Sequence, residues 1–150
     1  MILGLLLTGA RSDAFPPGDP PLLSIRFTEI DVEFNGTIDS EETGKILVAS
    51  VKSVRPDLAI INRGLQVDPA ATMPDLEDLK SLLEELGLST HEGMLVFWED
   101  RVLLYGLTDS IISVAALKIL IDPLLVDRKL INRICIVNTE DLPDIQVNLT

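Results

Sequence analysis

Two stretches of the chain return at a spacing of 70 residues. Gly36-Thr37-Ile38-Asp39-Ser40 comes back as Gly106-Leu107-Thr108-Asp109-Ser110, and Ile61-Asn62-Arg63 as Ile131-Asn132-Arg133. Residues 25–67 align with 95–137 without a gap, and 12 of the 43 aligned positions are identical. Such a duplication constrains the fold strongly, because both copies must adopt the same supersecondary unit. Each copy also controls for the other. Where they agree, the unit needs the residue; where they differ, one copy has been specialised.

The pattern inside each copy is the same. Residues 24–28 and 30–35 alternate in character, as do 94–98 and 101–105 around a Glu99-Asp100 turn, and both read as β-hairpins ended by Gly36 and Gly106. Asp39 or Ser40, and Asp109 or Ser110, supply N-caps for a helix. The first helix is expected over about 40–54, stopping before Pro56, and the second over about 110–121, stopping before Pro123, since the residue ahead of proline resists helix. Strands over 59–67 and 130–137 then close each unit by a right-handed parallel crossover. Between the copies, Leu76, Leu79, Leu83 and Leu86 share one face of a helix over 75–86, with Pro74 in its first turn and Gly87 at its end.

The fold class expected is therefore α/β, an α+β sandwich of two β-hairpin–α–β repeats, with mixed sheets and helices packed on one face. The chain divides into a leader and proline-rich linker (1–21), repeat 1 (22–69), repeat 2 with its preceding helix (70–140) and a tail (141–150). In the tail Ile145, Val147 and Leu149 alternate as in an extra strand.

Three of these features together resemble the BON family. They are a strand of the form Val-x-Phe/Leu-x-Gly (residues 32–36 and 102–106), a helix of about four turns, and a closing strand approximated by residues 60–68. The order occurs twice, over about 22–69 and 75–138, as in the tandem BON regions that precede OmpA-like domains in bacterial envelope proteins. Copy two departs from the family in having Ile134 and Ile136 in its closing strand where polar residues are usual. The resemblance implies a non-enzymatic module of the bacterial periplasm or envelope that binds phospholipid or partner proteins, some members binding cations. It transfers no catalytic residue and no cofactor. A cytoplasmic location stays open.

Charge and side-chain inventory narrow the chemistry. With a net charge of −12 and no basic run, a nucleic-acid surface is not expected, nor is simple electrostatic attachment to anionic lipid. His91 is the only histidine, so neither a histidine metal cluster nor a Ser-His-Asp triad can form, and a solvated His91 is expected. Glu41-Glu42, Glu84-Glu85 and Glu99-Asp100 are adjacent carboxylates that point apart on a helix and read as solvated faces. Cys135, the only cysteine, reads as a small buried hydrophobe. Residues 1–7 followed by Thr8-Gly9-Ala10 resemble the end of an export signal, and no segment is long and apolar enough to span a bilayer. Arg63 and Arg133, at equal positions of the two closing strands, pair with a nearby acid or make a twofold contact with an anion or lipid headgroup.

The copies disagree on the sheet face turned away from the helices. Copy one has Ser24, Arg26, Thr28, Glu33, Asn35, Gly64 and Gln66; copy two has Met94, Val96, Trp98, Leu103, Tyr105, Ile134 and Ile136. An open face of that size must be covered by the chain itself, a second subunit, a membrane surface or another envelope protein. These seven residues are the expected contact surface with a partner protein or itself, with phospholipid-surface binding and cation response as alternatives. A parallel change affects the second helix, where Ile111, Ile112, Ala115 and Ile119 replace Glu41, Glu42, Lys45 and Ala49. The leucine helix at 75–86 is expected to cover these four.

Overall fold

The computed structural model describes residues 20–137 and the backbone of 146–148. The export-like start falls outside the described residues. Copy one forms β1 (Leu23–Phe27), β2 (Asp31–Ile38), α1 (Glu41–Val54) and β3 (Ala59–Val67). Helix α2 (Leu76–Ser89) follows, and copy two forms β4 (Glu92–Phe97), β5 (Arg101–Thr108), α3 (Ile111–Leu125) and β6 (Lys129–Val137). A short β7 (Gln146–Asn148) pairs antiparallel with β6, so the tail does contribute a strand.

The two copies do not build separate sheets. Strands β1 and β4 pair antiparallel, giving one mixed seven-stranded sheet in the order β3-β2-β1-β4-β5-β6-β7. At the junction Ile25 lies opposite Leu95, its own counterpart 70 residues on. Leu23 opposite Phe97 and Phe27 opposite Gly93 exchange with one another under the 70-residue offset about that point. A local twofold axis thus passes between Ile25 and Leu95, and the duplicated chain is paired with itself as two subunits would be.

All three helices lie on one face, with α2 packed between α1 and α3. Leu79, Leu82, Leu83 and Leu86 of α2, Leu47 and Val51 of α1, and Val114, Leu117, Ile121 and Leu124 of α3 are buried against Ile25, Phe27, Phe34, Leu95, Phe97 and Leu104 of the sheet. Burying a side chain of this kind contributes roughly 1.5–3 kcal/mol, so the junction is part of the main core.

Ser40 and Ser110 are the N-caps, their side chains accepting from the Thr43 and Ile112 amides. Four local expectations need correction. Gly36 and Gly106 do not end their strands, which run on to Ile38 and Thr108. Gly36 is required for close approach instead: its φ is +119° and a Cβ there would fall 2.4 Å from the Leu22 carbonyl oxygen. Helix α2 passes through Gly87, which lies where a Cβ would stand 3.2 Å from Val54 and 3.4 Å from Phe27. Helix α3 runs through Pro123 to Leu125. A proline in the last turn costs the ladder one donor, and buried Leu124 holds that turn on the core.

Candidate interaction surface

On the helix-free side of the sheet, copy one is a polar ladder. Arg26 and Glu33 face each other across β1 and β2, with Arg26 Nη2 2.9 Å from Glu33 Oε1. Arg63 Nε on β3 approaches Glu33 Oε2 at 2.6 Å, so one carboxylate is held by two guanidinium groups. Arg63 therefore makes the structural pairing with an acid. In copy two the facing pair is Val96 and Leu103. Arg133 has lost the counterpart of Glu33, and its Nη1 donates to the Asn132 carbonyl at 3.2 Å.

The seven residues expected to form an open apolar face do not do so. Val96, Trp98 and Leu103 are 0%, 2% and 3% exposed: they form a second small cluster, buried within the chain, with Met94 and Ile131 packed against it. The Arg101 guanidinium lies 4.7 Å over the Trp98 ring, and Arg128 Nε donates to the Trp98 carbonyl at 2.7 Å. Met94 and Tyr105 are half-buried. The Tyr105 hydroxyl donates to Glu92 Oε1 at 3.3 Å, and burial, then the Glu92 charge, pushes its pKa up.

Ile134 and Ile136 belong to the other side altogether. They pack with the main core, and Ile134 is fully buried. The closing strands differ in phase. In copy two Leu104 pairs with Asn132 and Gly106 with Ile134, so the spacing is constant. In copy one Phe34 pairs with Asn62 but Gly36 with Leu65, one residue later, at a bulge where Gly64 has φ +133°. Leu65, not Gly64, therefore occupies the place of Ile134. The repeated asparagine serves this region in both copies: Asn62 Oδ1 accepts from the Gly64 and Leu65 amides, and Asn132 Oδ1 from Ile134.

The apolar surface that is exposed lies on α3. Ile111, Ile112, Ile119 and, at the C-cap, Val126 are 59%, 77%, 71% and 73% exposed, and Ala115 and Pro123 are exposed between them. Helix α2 does not cover these residues. The equivalent positions of α1 are Glu41, Glu42, Lys45, Ala49 and Ser53, all exposed as well. The two helices thus present the same geometry to the outside, one polar and one apolar. This contrast was in the sequence, but the leucine helix offered a cover for it that the structure does not provide.

Other groups stand apart from this surface. His91 is half-exposed, with Nε2 2.8 Å from Asp109 Oδ2 and Nδ1 3.8 Å from Glu29 Oε2, beside a shallow depression of about 380 Å³ that Leu107 and Val137 also line. It stays exposed to solvent, as expected, with its ring within hydrogen-bond distance of Asp109 beside the start of α3. Among the described residues no group of three or more His, Cys, Asp and Glu side chains is placed to hold a metal ion. Cys135 is half-buried, not buried, opposite Leu107. Among the described residues no helix is long and apolar enough to cross a membrane.

The sequence matches no protein-family model and no curated protein.

Proposed function

We propose that this protein is a non-enzymatic binding or assembly module of the BON type, acting in the bacterial envelope, and that it meets its partner through the outward face of α3. The observation that carries this reading is the contrast between α1 and α3. Both helices derive from one duplicated unit, and the polar outside of α1 meets the requirements of the fold. Nothing in folding calls for isoleucine at Ile111, Ile112 and Ile119, and an exposed apolar stripe costs solubility unless it is covered in use. The sheet face supports this reading less well, because Val96, Trp98 and Leu103 are already buried. Location in the envelope and the BON assignment rest on the resemblance of the repeated motifs.

The direct test repaints α3 with the residues of α1: Ile111→Glu, Ile112→Glu, Ala115→Lys and Ile119→Ala together. The expected result is an unchanged circular dichroism spectrum and melting temperature, with the protein eluting at its 16.4 kDa monomer mass where the wild type co-elutes with a partner. Identical elution of the two proteins in the larger assembly would remove α3 from the account.

A further inference from the structure

We infer that the outward face of α3 is the interface of a homodimer, in which two α3 helices pack antiparallel about a twofold axis at Ile119. This rests on the reading of α3 as a contact surface and names its occupant. A twofold interface must be self-complementary, and the stripe has that property in its spacing. Seven residues before and after Ile119 stand Ile112 and Val126; four before and after stand Ala115 and Pro123. All five are exposed. Antiparallel pairing centred on Ile119 therefore sets Ile119 on Ile119, Ile112 on Val126 and Ala115 on Pro123, a large residue on a large one and small on small.

The charges beside the stripe fit the same arrangement. Lys118 and Asp122 are exposed on one flank of α3. A twofold axis perpendicular to the helices keeps that flank on the same side in both copies, so Lys118 comes within a turn of the partner's Asp122, twice per dimer. Along α3 itself, residues 111–125, one base (Lys118) stands against one acid (Asp122), in a chain whose net charge is −12. Two copies meet there with less repulsion than their overall charge would impose.

Val126 adds an independent sign. Its φ of +37° with ψ of −130° is a conformation that suits glycine and strains a β-branched residue. The strained backbone holds an exposed apolar side chain at the end of the stripe, where a second copy would cover it. One helix face, roughly 20 Å long, is smaller than the ~800 Å² per partner of a standard interface. A contact of this size makes a weak, concentration-dependent dimer.

Sedimentation equilibrium from micromolar to millimolar protein tests this with charge reversals. Lys118→Glu and Asp122→Lys should each weaken the dimer roughly five- to tenfold, and the double reversal should restore it. Ile119→Glu should leave a folded monomer by circular dichroism. A wild-type chain that stays monomeric throughout overturns the inference, as does a double reversal no better than the single ones. Cosedimentation of a monomeric chain with phosphatidylcholine vesicles, or binding of a different protein at α3, would overturn the homodimer while leaving α3 as the contact surface.

Discussion

Ile25 sits opposite Leu95 at the centre of the sheet, and the two are one position of the duplicated unit. Both are fully buried. The duplication therefore makes a single core, not two cores joined by a helix. Denaturation followed at Trp98, the only tryptophan, should coincide with denaturation followed by far-ultraviolet circular dichroism. Leu95→Ala should lower both together, at a cost of about 2–5 kcal/mol. Two separated transitions would contradict a shared core.

Gly36 and Gly106 occupy equal positions and should not tolerate alanine equally. At Gly36 a Cβ meets the Leu22 carbonyl at 2.4 Å and the backbone has positive φ. At Gly106 the nearest atom is the Thr90 methyl at 3.0 Å, a side-chain and not a backbone contact, and the φ there is not positive. Gly36→Ala should cost more than ~2 kcal/mol, with Gly106→Ala clearly milder in chemical denaturation. Equal losses would contradict the close approach at Gly36.

Val126→Gly should raise stability by about 1 kcal/mol, because glycine accepts positive φ without strain. The same substitution removes the last apolar contact of the stripe and should weaken association. Thermal melting and sedimentation of one variant thus read opposite signs.

The phenol of Tyr105 carries a raised pKa, first through burial and then through the Glu92 charge. Its contribution to stability is present below the ordinary phenol value of about 10 and is lost as pH rises through the folded value. Tyr105 is the only tyrosine, so phenolate absorbance reports it alone. Its titration midpoint should lie above that of the unfolded chain, and Tyr105→Phe should lose less stability between pH 9 and pH 11 than wild type. A midpoint at or below the unfolded value would contradict the burial of this side chain.

The repeat made the hairpins, the caps at Ser40 and Ser110 and the helix-strand order legible, because each is specified within one copy. The joining of β1 to β4 was not, since it depends on two edges meeting and leaves no local signal. The facing of Ile134 and Ile136 was misread because a strand's alternation changes phase at a bulge, and the bulge lies in copy one at Gly64, not in copy two. Copy two is more apolar than copy one on both its sheet face and its helix face. Which of the two changed faces stays exposed depended on packing: the sheet patch at Val96, Trp98 and Leu103 is covered, and the stripe on α3 is not.

The most direct measurement uses the two copies against each other. A photo-activatable cross-linking residue is placed at Ala115 in one protein and at the equivalent Lys45 in another, both exposed and outward on their helices. Irradiation in cells producing the protein should give a discrete adduct from position 115 and none from position 45. Adducts from both positions, or from position 45 alone, would contradict α3 as the surface through which this protein makes contact.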